Sequence, residues 1–284
     1  MPKIIDGKAL ALEIQNKLAK EITNQKLTPS LAVLLVGNDP ASKIYIELKK
    51  TACHQVGIEF HEYCLAEETG NEKVLEVISF LNNDDDIDAI LVQLPLPEHL
   101  DTNQIIQAID PAKDVDGFHP ENIQKFLNNQ TDFVPGLPLG IIKLLESTGE
   151  KLENLTAIII AKNEILYQPL AKLLQDKKIK TQVFKPEDKN IKNKCQKSDI
   201  LISACGQPFF ITTDMVKDKV IVIDVGTNKV GDYVVGDVDY SGVFEKAGHI
   251  TPVPGGVGPM TVAMLLCNTV ELAKILSKRS EPKG

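Results

Sequence analysis

Along the chain, unbroken apolar runs alternate with stretches in which apolar residues return every three or four positions. Asp6 to Lys20 carries the helical period, and LAVLLVG (Leu31 to Gly37) is an apolar run closed by glycine, which predicts a buried strand. Asp39-Pro40 reads as an N-cap followed by proline at the first helical position, predicting a helix to about Val56 with Gly57 as its stop. IEFHEYCL (Ile58 to Leu65) alternates as a strand does, Glu72 to Leu81 is helical, and AILVQL (Ala89 to Leu94) is a strand ended by Pro95 and Pro97. Asp110 to Pro138 is richer in proline, glycine and polar residues and reads as a crossing between domains. The alternation then resumes with TAIIIA (Thr156 to Ala161), a helix near Pro169 to Gln175, and TQVF (Thr181 to Phe184). ILISAC (Ile200 to Cys205) and VIVIDVG (Val220 to Gly226) follow as buried strands.

This rhythm predicts an α/β protein of two domains, each a parallel sheet faced by helices, the second with the cadence of a Rossmann-like dinucleotide-binding domain. The expected division is 1–118, joined by a C-terminal helix (260–284) that packs back on it, and 119–259. Ahead of that last helix stands TPVPGGVGPMT (Thr251 to Thr261), with three glycines and three prolines in eleven residues. Pro259 suits the first helical position, and the helix it opens offers backbone donors beside the glycines. The segment reads either as a loop for a planar or anionic small molecule or as a rigid turn that docks the helix.

Composition narrows the function classes. The chain has 284 residues, 43% hydrophobic and 25% charged, and a formal net charge of −8, which disfavours nucleic acid and anionic membranes as partners. Five scattered cysteines form no CxxC pair, so free thiols of a cytoplasmic protein are expected, and neither the cysteines nor the histidines have metal-ligand spacing. No signal peptide and no apolar run of membrane-spanning length is read from the sequence.

Three places could carry chemistry. Ser42, Tyr45 and Lys49 are three and four residues apart on one predicted helix, so they share a face near the carboxyl end of a strand. A desolvated lysine there becomes an acid or base of adjustable pKa; otherwise it is a solvated lysine on an amphipathic helix. Gln93 ends a strand beside a stiff turn, where it either orients a neighbour or caps the strand. KDVDGFHP (Lys113 to Pro120) places Asp114 and Asp116 beside a glycine; one carboxylate could accept an amidine-like heterocycle edge, and an Asx-type turn would account for the other.

Together VGNDPASKIYIELK, VQLPLP, KDVDGFHPEN, VIDVG, GDVD and TPVPGGVGPMT, in this order, closely resemble the bifunctional methylenetetrahydrofolate dehydrogenase/cyclohydrolase (FolD) family over nearly the whole chain. The resemblance implies oxidation of methylenetetrahydrofolate with NADP, then hydrolysis of the methenyl product to formyltetrahydrofolate. It makes Lys49 the catalytic lysine, with Gln93 bonded to it, Tyr45 stacked on the folate ring and Asp116 on the amino-pyrimidine edge. Ser42, Pro95, Pro252, Gly255, Gly256, Val257 and Thr261 would complete the folate site. Lys162, Asn163, Lys185, Cys205, Gly206, Asp224, Gly226, Thr227 and Gly256 would meet the cofactor. The family commonly forms homodimers through the second domain, and it requires no metal.

The second half departs from the family pattern. Where the family carries Gly-Arg-Ser-x-x-Val-Gly-x-Pro, this chain has Ala161-Lys162-Asn163-Glu164-Ile165-Leu166-Tyr167-Gln168-Pro169, and no glycine stands between Gly149 and Gly206. Lys185-Pro186 replaces a His-Ser pair and is followed by Glu187 and Asp188, and Pro135-Gly136-Leu137-Pro138 replaces Pro-Cys-Thr-Pro. These changes leave NAD or no cofactor as alternatives to NADP. They also leave open a cyclohydrolase-only enzyme and a folate-binding homologue without turnover.

Overall fold

The computed structural model describes residues 3–131 and 133–280. Strand β1 (Lys3–Ile4) precedes α1 (Gly7–Gln25), β2 (Ser30–Val36), α2 (Pro40–Val56), β3 (Glu59–Leu65), α3 (Asn71–Asn82) and β4 (Ala89–Val92). Then come α4 (Thr102–Gln107), α5 (Pro120–Leu127), α6 (Gly136–Ser147), β5 (Thr156–Ala161), α7 (Glu164–Asp176), β6 (Lys180–Phe184), α8 (Ile191–Cys195) and β7 (Ile200–Ala204). The chain ends with β8 (Ile221–Asp224), β9 (Asn228–Val230), β10 (Tyr233–Val235), α9 (Tyr240–Phe244), β11 (His249–Ile250) and α10 (Val257–Ser280).

Two compact units result. One comprises Glu13–Gly136 and Val262–Gly284 and is built on a parallel three-stranded sheet in the order β3-β2-β4. Every residue of β2 is buried because alternate side chains serve opposite faces of the sheet. Leu31, Val33 and Leu35 pack with Ile46, Cys53, Leu265, Leu266 and Val270 on one side. Ala32, Leu34 and Val36 pack with Val74, Ile78 and Ile105 on the other. The carboxyl half of α10 is therefore a core helix of this unit, as the patterning predicts.

Its length and apolarity over Val257–Lys278 would also let it cross a bilayer, which the sequence reading missed; 56% of that stretch is buried inside the protein. The other unit comprises Met1–Leu12 and Leu137–Thr261 and carries a parallel six-stranded sheet in the order β1-β11-β8-β7-β5-β6. Its division from the first differs from the 118/119 expectation. β1 pairs with β11, which moves the first twelve residues into the six-stranded unit, and the segment up to Gly136 stays with the three-stranded one.

The local capping signals in α2 are used as read. The Asp39 carboxylate accepts the Ser42 N–H at 2.8 Å, and Gly57 stops the helix with φ 91°. Elsewhere proline misled. The 110–138 stretch contains α5 and the start of α6, because Pro120 occupies the first position of α5, where no N–H is needed. Helix α7 begins at Glu164, not near Pro169, and holds Pro169 in its interior. Pro259 is the third residue of α10 rather than its first, still within the turn whose N–H groups lack helical partners.

Candidate active site

In the three-stranded unit, α2 leaves the carboxyl end of β2 with Ser42, Tyr45 and Lys49 on one face. Gln93 lies one residue past β4 but prolongs its ladder, since its N–H donates to the Leu34 carbonyl at 2.9 Å. That ladder bond brings the Gln93 side chain to α2, where Lys49 Nζ donates to Gln93 Oε1 at 2.8 Å. Gln93 is buried, and its Nε2 donates to the Leu94 carbonyl at 2.7 Å, fixing which amide atom faces the lysine.

Burial lowers the pKa of Lys49, opposed by the negative charge of Asp116 and by the neighbouring Cys53. Burial also pushes the Cys53 thiol up to about 12, so it stays protonated and is no nucleophile. Ser42 is buried, whereas Tyr45 keeps 38% of its surface open, with its ring available as a platform. Pro95 is exposed and follows a cis peptide bond after Leu94.

The two aspartates of KDVDGFHP divide their labour. Residues 113–115 run beside β4, with Ile90 donating to the Lys113 carbonyl at 2.7 Å. The Asp114 carboxylate accepts from Gly117 N (3.2 Å), His119 N (2.8 Å) and Asn122 Nδ2 (2.9 Å), and so shapes the turn. Lys113 is likewise structural, buried and donating to the Leu81 and Asp84 carbonyls.

Asp116 is left for other work: among the described residues its carboxylate accepts no hydrogen bond. It borders a crevice of about 10 Å³ lined by Val92, Leu94 and Phe118, no larger than one water molecule. Burial raises its pKa to about 6, against the pull of Lys49 and with the push of Asp114. Asn268 of α10, absent from the sequence reading, donates to the Val115 carbonyl at 2.9 Å and pins the backbone just before Asp116. Another cleft of this unit, about 570 Å³ between Lys43 and Glu47 of α2 and Glu62 and Cys64 of β3, includes none of Lys49, Gln93 and Asp116.

In the six-stranded unit the strand order reverses between β5 and β7, which makes their carboxyl ends the switch point where open α/β sheets bind ligands. Lys162 and Asn163 follow β5, Lys185 follows β6, Cys205 and Gly206 follow β7, and Gly226 and Thr227 follow β8. The donor set suits a dinucleotide: a helix N-terminus at α7 and a half-exposed ammonium on Lys162 at the edge where phosphate would lie. The contact differs from a glycine loop, however. Asn163 Oδ1 already accepts the Ile165 N–H at 3.0 Å, and Lys162 Nζ lies 3.3 Å from Glu187 Oε1.

Asp224 is not a free ligand: it is buried and accepts from the N–H groups of Gly226, Asp237 and Val238 at 2.9–3.0 Å, with its pKa raised by burial to about 6. Asp237, unassigned by the sequence reading although it sits in the GDVD motif, is fully buried. It accepts Cys205 N at 2.6 Å, Gly206 N at 3.3 Å and Gln207 N at 3.0 Å. It thereby sets the loop after β7. A Cβ on Gly226 would lie 2.4 Å from the Asp237 carboxyl carbon, so that glycine serves packing.

The same holds in TPVPGGVGPMT. A Cβ on Gly256 would meet the Pro252 carbonyl oxygen at 2.7 Å, and Gly255 has φ 112° with its carbonyl accepting Lys8 N at 3.0 Å. Val257 opens α10, and Thr261 donates to the Gly258 carbonyl at 2.7 Å. Within this unit the segment is held as a tight turn, which is compatible with both readings.

Known proteins bear on both units. Residues 5–116 match the tetrahydrofolate dehydrogenase/cyclohydrolase catalytic domain, and residues 135–277 match the NAD(P)-binding domain of the same family. A bifunctional protein FolD of Campylobacter concisus is 45% identical, the match covering 96% of this chain and 98% of that one. The crystal structure of the Campylobacter jejuni bifunctional FolD is 40% identical, with a TM-score of 0.92 over 97% of this chain and 99% of that one. The Trypanosoma brucei enzyme, solved with NADP and an inhibitor, is 31% identical, with a TM-score of 0.93 over 98% and 99%.

Proposed function

Because the chain belongs to the tetrahydrofolate dehydrogenase/cyclohydrolase family, we propose that Lys49 is the group that handles protons in its hydrolytic step. The enzyme oxidises methylenetetrahydrofolate to methenyltetrahydrofolate with NADP and hydrolyses that product to formyltetrahydrofolate. NADP, when bound, supplies the acceptor for the hydride leaving the methylene carbon. Lys162, Asn163, Lys185 and the 205–206 and 226–227 turns are the residues we assign to holding it, by charge and by backbone donors at the switch point.

The observation that carries the hydrolytic proposal is the 2.8 Å contact between Lys49 and the anchored Gln93, in surroundings that lower the lysine's pKa. A desolvated amine spends more of its time neutral and then owns a lone pair. Water adds to the methenyl carbon and gives a proton to that lone pair. The ammonium so formed returns the proton to the ring nitrogen as its bond to the carbon breaks, and the proton still on the carbinol oxygen leaves to water as the formyl carbonyl forms. Gln93 Oε1 accepts one amine hydrogen throughout, which keeps the lone pair aimed at the substrate rather than at the amide. Asp116 receives the donor edge of the pterin, a task that requires an unoccupied carboxylate. Tyr45 offers its ring as a stacking surface, with Ser42 one turn before it on α2, and Pro95, two residues past Gln93, is assigned to the same site.

The test is loss of methenyltetrahydrofolate absorbance catalysed by wild type and by Lys49→Met. A general acid–base contribution of about 10²–10⁴ in rate is expected to disappear. Equal rates would remove the lysine from the mechanism. We further propose a cytoplasmic homodimer. Cys53, Cys64, Cys195 and Cys205, none in a disulfide, support the compartment, and the β9–β10 hairpin supports association, since it leaves Val230, Tyr233 and Val234 exposed.

A further inference from the structure

Two cations stand where the adenosine end of a dinucleotide would meet the six-stranded sheet. Lys162 is the first residue after β5 and Lys185 the first after β6, and these strands are parallel neighbours at the edge of the sheet. Beside Lys162 lies an anion. Glu187 Oε1 is 3.3 Å from Lys162 Nζ, with both side chains more than half exposed. The Glu187 carboxyl is held below its usual range by its own backbone N–H, then by Lys162 and by the charge of Lys185.

At the end of the second strand of such a unit, an acidic group suits a ribose hydroxyl and a cationic one suits a 2′-phosphate. This chain carries both signs, already paired with each other. Lys162 presents a point charge without a guanidinium fork, so it cannot hold a carboxylate and a phosphate in separate bidentate contacts.

We propose that Glu187 determines cofactor selectivity: its carboxylate competes with the 2′-phosphate of NADP for Lys162 and so narrows the preference for NADP over NAD. The inference rests on the cofactor reading of this unit given above. NAD has no 2′-phosphate and leaves the pair intact, so its affinity is insensitive to the competition. The pair is surface-exposed and forms no part of the core, so either residue can be changed without disturbing the fold.

The experiment is calorimetric titration of NADP and of NAD into the full chain, as wild type, Glu187→Gln, Lys162→Met and the double variant, with thermal melts to confirm folding. Glu187→Gln is expected to bind NADP roughly two- to fivefold more tightly, the worth of an exposed ion pair, and NAD no more tightly than wild type does. In the Lys162→Met background the same substitution should give no gain. Tighter NADP binding that persists without Lys162, or no tightening at all while wild type binds NADP, overturns the role of Glu187 and leaves the cofactor reading standing. Wild type that binds neither nucleotide overturns both.

Discussion

Replacing Asp116 with asparagine should make the enzyme more stable and worse at its work. The aspartate's carboxyl is raised from 3.8 to about 6, chiefly by burial, which means the fold holds its charged form reluctantly. At about 1.4 kcal/mol per pKa unit, the penalty above pH 6 reaches about 3 kcal/mol, a ceiling because solvent still reaches part of the group. The sign follows from linkage. With a folded-state pKa above the unfolded one, the folded protein binds the extra proton, so this group's contribution to stability falls as pH rises from 3.8 to 6 and then stays constant. Asparagine has nearly the same volume and carries no charge to desolvate; its unpartnered amide N–H groups return about 1 kcal/mol of that gain.

Urea unfolding of the two proteins at about pH 8 and about pH 4 reads the effect as a difference of differences. The variant's advantage at the higher pH should shrink towards zero at the lower, while its KM for methenyltetrahydrofolate rises by about tenfold or more through loss of a charge-assisted contact. A variant less stable than wild type at high pH, or an advantage independent of pH, would refute the account of a strained, ligand-ready carboxylate.

Two further outcomes follow from the same geometry. Lys49→Arg keeps a positive charge but cannot shed its proton, so hydrolysis should fall to the Lys49→Met level. In wild type the rate should climb with pH and level off below the ordinary lysine value of 10.5; an active arginine variant would show that charge alone suffices. Asp114→Ala strips the partners from two backbone N–H groups and the Asn122 amide, and should cost about 2–4 kcal/mol in urea unfolding while loosening the turn that carries Asp116; a loss under about 0.5 kcal/mol would contradict its structural role.

Much of this was legible from the chain because the informative signals are local. The apolar run at Leu31–Val36 could only be a strand buried on both faces, and Asp39-Pro40 and Gly57 mark the two ends of α2 through bonds made within a few residues. The helical repeat likewise put Ser42, Tyr45 and Lys49 on one face before any tertiary contact was considered. Pro120 and Pro138 were misread because a helix's first turn accepts proline's fixed φ and does not need the N–H it lacks. At Pro169, one hydrogen bond forgone inside α7 was outweighed by burial of Leu170 and Leu174.

What only the fold decided is which polar groups are already taken. Read from the residues alone, Asp114 and Asp116 are alternatives; the family resemblance singles out Asp116 and places Asp224 at the cofactor, and Asp237 is not singled out at all. Asp114 is consumed by N–H groups of its own turn, whereas Asp224 and Asp237 are consumed by N–H groups up to 14 and 32 residues away, and among the described residues Asp116 is left open. Asn268 reaches Val115 across more than a hundred residues, and Gln93 reaches Lys49 across 44. No periodicity records such meetings. The sequence set the inventory of groups and the faces they lie on; burial and long-range hydrogen bonding chose which of them remain free to meet a substrate.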